Sequence, residues 1–358
     1  MIREAGSPDH LAETEKMAHR TLRVTQCVGV SDRSGRGGGN LQDRYLSIMT
    51  RLLLALALAA APTIVAAQTT SPRAAPPSST PPNALQQELL GRLRTRLDSI
   101  VAHTDGVVGY AVYDPTSGGV PLARLERGIF PTASTIKLAV LDEMFRQYDA
   151  GMLDIDAVRT VPKEAIVAGS GVLQHLTAPQ MPLRDIATLM MIVSDNTATN
   201  IIIDALGMEK INARIAALEM PDTRLRRKMN DMVSARRGVE NVATPRDLAM
   251  LVYKLWNGEG LTGASRDAAR RMLYAVPGRM RTAVPADVRV ALKTGENQGV
   301  RAEAAVVEVP GRPYAIAVMT TYLASDARGS DVIEAIAGEV YRTMARLGSG
   351  GEYGRKLP

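Results

Sequence analysis

The sequence predicts an α/β fold of the α+β kind: one mainly antiparallel sheet flanked by helices, with an all-helical lobe built from the middle of the chain. Three observations carry this prediction. Runs rich in β-branched residues occur at both ends of the globular stretch, the residues between Ser134 and about Leu273 are mostly periodic at helical spacing, and an amphipathic helix opens and closes the whole. Two ends that supply strands and a middle that supplies helices leave a cleft between sheet and lobe, where chemistry is expected.

Before that stretch, the chain reads as segments that build no core. Met49–Ala67 has a short positive start, an apolar run and a small-residue exit, the pattern of a signal peptide. Such peptides seldom begin so far into a chain. Residues 1–48, polar and containing Gly-Arg-Gly-Gly-Gly, are therefore read as an over-extended start, with Met49 as the initiator. Residues 68–83 are rich in Pro, Ser and Thr and read as a flexible tether. The only cysteine, Cys27, precedes the cut, so the exported chain has no disulfide. After the cut only His103 and His175 remain, which leaves almost no ligands for zinc, and neither metal nor cofactor is expected.

The globular stretch spans residues 84–347. Leu85, Leu89, Leu90, Leu93, Leu97 and Ile100 define the first helix. Two strands follow, Val107–Tyr113 and Val120–Leu125, joined by the turn-rich Asp114–Gly119. Breaks punctuate the helical middle at Gly151, Gly169–Gly171, Gly207 and Asp222–Pro245. Met190, Met191, Trp256 and Met272 are read as core, and Arg224–Lys228 as a solvated basic stretch. Strand character returns at Val288–Thr294, Ala302–Val309 and Tyr314–Leu323. Val332–Leu347 closes the domain as a helix, with 348–358 a flexible tail. The composition (46% apolar, 22% charged) is ordinary for a globular protein. The formal charge of +6 is spread among interleaved acids, which argues against a nucleic-acid partner. No membrane partner is expected once the signal peptide is cut, and a monomer is expected.

Three motifs carry the chemistry: Ser134-Thr-Ile-Lys137 at a helix start, Ser194-Asp-Asn196 between helices, and Lys293-Thr-Gly295 at the end of a strand. A lone Ser-x-x-Lys arises about once per chain of this size by chance, but the ordered triple in roughly one chain in a thousand. A serine and a lysine three apart share a helix face, so the ammonium can reach the hydroxyl. Lys137 acts as a base only when neutral, and burial or a nearby cation favours that state. The bland readings are an N-cap for Ser134, a solvated charge for Lys137 and a capping triplet for Ser194-Asp-Asn196.

This set resembles that of the class A β-lactamases and penicillin-binding serine hydrolases. The resemblance implies a β-lactamase/transpeptidase-like fold and an acyl-enzyme on Ser134, with a small β-lactam or peptidoglycan-like molecule as substrate. It further implies Ser194 as proton relay to the leaving nitrogen, and Asn196 as the amide that holds Lys137 and the substrate's side-chain carbonyl. Asp195 is then structural, accepting backbone hydrogen bonds. Lys293 and Thr294 would hold a substrate carboxylate, Gly295 would leave room for the acyl chain, and the backbone N–H groups of Ser134 and Glu296 would form the oxyanion hole. Arg301, on the next strand, is a further candidate for the carboxylate.

One element of the family pattern is missing. Class A enzymes carry Glu-x-x-Leu-Asn in a loop between the second and third motifs, and its glutamate activates the water that clears the acyl-enzyme. Matching Arg224–Arg227 to the stretch before that glutamate puts Met229 in its place. Asp231 is the candidate replacement base, with Glu240 further along; a surface carboxylate is the bland reading of both. The sequence therefore leaves open a β-lactam hydrolase with atypical deacylation, a D-Ala-D-Ala peptidase or esterase, and a penicillin-binding module that stays acylated.

Overall fold

A computed structural model describes residues 81–356. The over-extended start, the signal peptide and the tether up to residue 80 lie outside the described residues. The first helix, α1 (Ala84–Ala102), starts at Asn83, whose side chain accepts from Gln86 N at 3.0 Å while Gln86 Oε1 accepts from Asn83 N. This reciprocal cap fixes the helix start where the apolar periodicity begins.

Five strands form the main sheet: β1 (Val107–Asp114), β2 (Gly119–Arg124), β7 (Val290–Asn297), β8 (Val300–Val307) and β9 (Tyr314–Thr321), in the order β2-β1-β9-β8-β7. Every pairing is antiparallel. Alternation along each strand gives the sheet two apolar faces. Val108, Tyr110, Leu292, Ile316 and Val318 face α1 and the last helix, α10 (Asp326–Ser349). On the other face, Ala111, Ala302, Ala304, Ala315 and Ala317 meet α7 (Pro245–Asn257) through Leu248, Leu251, Val252 and Leu255. The alanines let this helix lie close to the sheet and bind it to the lobe. Truncating one of these fully buried leucines to Ala costs about 2–5 kcal/mol.

The lobe runs from α2 (Lys137–Asp149) through α3 (Leu183–Ile192), α4 (Asn196–Leu206), α5 (Met208–Ala217) and the short α6 (Met232–Arg236), and includes α8 (Gly263–Ala275). Short pairs β3 (Phe130–Pro131) with β6 (Val242–Ala243), and β4 (Val158–Thr160) with β5 (Gln180–Pro182), pin its connections. Met190, Met191 and Met272 are buried in its core and Trp256 packs against it. A four-residue helix, α9 (Arg279–Thr282), leads back to the sheet.

Strand ends shift by up to three residues from the sequence reading, and two boundaries near the C-terminal end differ more. Helix α10 begins six residues early, at Asp326, because its first turn is polar and apolar periodicity cannot register it. Asp326 there accepts from Gly299 N at 2.9 Å. The tail expected to be flexible from 348 instead continues the helix to Ser349. It then folds back, with Gly350 bridging Lys356 and Asn83 Nδ2 donating to Glu352 O.

Candidate active site

Ser134 lies in a single 3-10 turn, Ala133–Ile136, that runs directly into α2. The turn is anchored from behind: Thr132 N donates to Asn241 O at 2.9 Å, and Thr132 O accepts from Thr135 N and Oγ1. Ala133 sits at φ 44° and Ser194 at φ 54°, left-handed conformations that cost free energy in non-glycine residues. Both flank the chemistry, and both are held by surrounding hydrogen bonds.

The second motif closes the junction between α3 and α4. Asp195 is buried; its Oδ2 accepts from Val172 N and Leu173 N at 2.7 and 2.8 Å, and its Oδ1 from Ala198 N at 2.8 Å. This draws the glycine loop 169–171 onto the motif. A Cβ on Gly171 would lie 2.3 Å from the Asp195 carboxylate, and Gly171 has φ +112°, so only glycine fits. Asn196 N donates to Ser170 O.

Lys137 and Lys293 are both fully buried, and they meet at Ser194. Lys137 Nζ donates to Ser194 O at 2.7 Å, Ser194 Oγ at 3.1 Å and Asn196 Oδ1 at 3.2 Å. Lys293 Nζ donates to the same Ser194 Oγ at 3.1 Å. The hydrogen bonds of Lys137 thus go to the second motif, from the helix that begins at the Ser134 turn. Burial, then the charge of Lys293, pushes Lys137 well below the usual lysine range, with Asp195 opposing. Burial brings Lys293 down to about 7, against the pull of Glu296 and Glu303.

The third motif is mid-strand rather than at a strand end, since β7 continues to Asn297. A Cβ on Gly295 would lie 2.6 Å from Thr132 O, 3.0 Å from Thr135 N and 3.1 Å from Ser134 N. Its lack of a side chain lets the strand backbone touch the nucleophile turn. Ser134, Asn196 and Glu296 line one cavity of about 210 Å³, together with Gly169, Met229 and Glu240.

Thr294 lies on the sheet face that carries Arg301 and Glu303, and these residues, with Glu296, line a second cavity of about 610 Å³. Arg301 is already engaged. Its guanidinium donates to Asn297 O and Val300 O and pairs with Asp326 at 3.3 Å. Glu303, opposite Thr294 in register, was not singled out from the sequence. Its buried carboxylate accepts from Arg279 N and Met280 N, and burial pushes it above the usual carboxylate range. A lone acid inside the apolar run of β8 was the available signal.

The loop expected to bear a base looks different from its sequence reading. Asp231 is the N-cap of α6, with Oδ1 accepting from Ser234 N and Oδ2 from Ser234 Oγ at 2.6 Å. These bonds hold it below the usual carboxylate range. It does not line the Ser134 cavity, although its neighbours Asn230 and Met232 do. Met229 is buried in that lining. Its backbone is gripped from both sides by Asn200, with Met229 N donating to Oδ1 at 2.8 Å and Asn200 Nδ2 to Met229 O at 3.1 Å. The basic stretch is only partly solvated, since Arg227 is largely buried and its Nη2 donates to Glu240 Oε2 at 2.6 Å.

Residues 92–344 match the family described as Beta-lactamase enzyme family. The chain belongs to this family. A family relative, Beta-lactamase AST-1 of Nocardia asteroides, is 32% identical over 63% of this chain and 75% of its own length. A Beta-lactamase of Amycolatopsis lactamdurans is 31% identical over 73% of this chain and 85% of its own. Among solved structures, that of PBP-A is 28% identical with a TM-score of 0.66, covering 74% of this chain and 98% of that one. A PBP-A mutant in an acyl-enzyme complex with penicillin G is 29% identical with a TM-score of 0.65, covering 71% and 96%. The family fold, an antiparallel sheet with a helical lobe, is the one described above.

Proposed function

We propose that this chain is a serine hydrolase that opens β-lactams through an acyl-enzyme on Ser134. The observation that carries the reading is the Ser194 hydroxyl held between two buried lysines of lowered pKa, next to a nucleophile turn pressed against β7. Ser134 Oγ attacks the lactam carbonyl, and the developing oxyanion is met by the backbone N–H groups of Ser134 and Glu296. The hydroxyl proton passes to neutral Lys137 and on through Ser194 Oγ to the leaving nitrogen. Asn196 holds Lys137 and offers its amide to the acyl side chain. Lys293 and Thr294 take the substrate carboxylate, with Arg301 secondary because Asp326 already neutralises it.

Intact-protein mass spectrometry during incubation with a chromogenic cephalosporin tests this. Steady colour with a transient adduct on Ser134 is expected, and neither colour nor adduct would refute it. One observation favours a second reading, a penicillin-binding protein that stays acylated: apolar Met229 occupies the loop position nearest to the missing glutamate. A burst of colour followed by a lasting adduct selects it. The Met49–Ala67 pattern supports export with cleavage after about Ala67; N-terminal sequencing of exported protein that began at Met1 would refute that cleavage.

A further inference from the structure

We infer that Glu240 is the base that activates water for release of the acyl group, held for that task by Arg227. The inference rests on the acyl-enzyme reading above. Water must reach the Ser134 ester from the side opposite β7, because β7 and the nucleophile turn supply the oxyanion donors. On that side the loop contributes Arg227, Met229, Asn230, Met232, Glu240 and Asn241 to the cavity wall. Glu240 is the one carboxylate among these six. Glu296, the other acid lining the cavity, belongs to β7 itself. Asp231 is spent on its own helix.

The support for Glu240 is built rather than incidental. Arg227, whose side chain is 11% exposed, places Nη2 on Glu240 Oε2 and Nη1 on Lys228 O, while its buried Nε has no partner among the described residues. Asn241, next in sequence to Glu240, ties both ends of the loop together: its Oδ1 accepts from Arg226 N and Arg227 N, and its Nδ2 donates to Arg227 O. Glu240 is thus fixed at the loop's neck by one bonded oxygen, and its Oε1 has no hydrogen-bond partner among the described residues. In the step, Oε1 takes a proton from water as the water oxygen bonds to the acyl carbon. The C–Oγ bond of Ser134 then breaks, and the proton returns to Oγ, leaving free serine and a carboxylic acid.

Glu240→Gln tests this by stopped-flow and mass spectrometry with a penicillin and a chromogenic cephalosporin. The expected result is an acylation burst at the wild-type rate and an acyl-enzyme lifetime extended about 100-fold or more, the usual contribution of a positioned base. The solvent deuterium isotope effect on deacylation is expected to disappear as well. Glu240→Asp, which keeps the charge but shortens the reach, is expected to slow deacylation less and to retain the isotope effect, and it serves if the Gln variant does not fold. Deacylation by Glu240→Gln at the wild-type rate, or by both variants equally slowly with equal loss of burst, would overturn the assignment. Absence of any Ser134 adduct in the wild type would instead remove the acyl-enzyme reading on which it rests.

Discussion

The motif cluster and the loop from Arg224 to Val242 face each other across one cavity and are built in opposite ways. The cluster is anchored in the core: Lys137 and Lys293 are fully buried, Asp195 accepts three backbone bonds, and Gly295 is in contact with the main chain of the nucleophile turn. The loop is held by two asparagine side chains, Asn200 of α4 at Met229 and its own Asn241 at the neck, while Met232 and Val233 at its crest are exposed. Groups that form the acyl-enzyme are therefore part of the fold's framework. Groups that would clear it sit on a rim held by fewer contacts with the core.

Substitutions on both sides of the cavity break or sharpen that contrast. The largest effect is expected from Ser134→Ala, which should abolish covalent labelling by a fluorescent penicillin, since no other Ser-x-x-Lys exists in the sequence. Labelling that persists would move the nucleophile out of the framework. Met229→Glu comes next. Asn200 grips the backbone at 229 whatever the side chain, so a carboxylate there should speed deacylation by about 100-fold if it reaches the water, read as a shortened adduct lifetime. No change in lifetime would show that the rim's course, and not only its chemistry, differs from the family's.

A smaller effect separates the two cations. Lys293→Ala should weaken a carboxylate-bearing substrate by about 1.5–3 kcal/mol, the worth of a charge-assisted hydrogen bond, and a neutral ester less. Arg301→Ala should cost less than Lys293→Ala, because the guanidinium is already committed to Asp326. Equal losses on both substrates would assign Lys293 to stability instead. The same lysine predicts a pH signature. With its ammonium brought down to about 7, the charge that attracts the carboxylate fades as pH rises through that value, so KM for charged substrates should climb there while that for neutral esters should not. Between about 7 and the ordinary lysine range the unfolded chain holds the extra proton, so folding stability should increase with pH, and Lys293→Met should flatten that slope in denaturant titrations. The smallest effect belongs to Asp231→Asn, expected to leave acylation and deacylation essentially unchanged; a lengthened adduct lifetime would return Asp231 to the reaction.

What was legible in the sequence follows the same division. Helical and strand periodicity placed the sheet, the lobe and the three motifs, because these are apolar patterns and short local spacings. Side-chain direction was not legible. The bonds of Lys137 to Ser194 and the backbone contact at Gly295 both depend on how distant segments pack. Asp231 looked available from its position, but an acid just before a short helix is recruited by the helix's free N–H groups. Glu303 left only a faint mark, a lone acid in an apolar run, and the Arg227 to Glu240 pair could be recognised only once the tertiary fold had brought its partners together.

The contact at Gly295 also has a bearing on how the molecule breathes. Because strand and nucleophile turn meet main chain to main chain, the amide of Thr135 opens to solvent only when the sheet and the turn part company, and that of Thr132 only when the turn also leaves Asn241 O at the loop's neck. Their hydrogen exchange should then report the deepest openings of the domain, while the amides of α6 exchange through local fraying that leaves the nucleophile undisturbed. The chemistry would thus sit on the slow-exchanging seam, and substrate traffic would pass over a fast-exchanging shore.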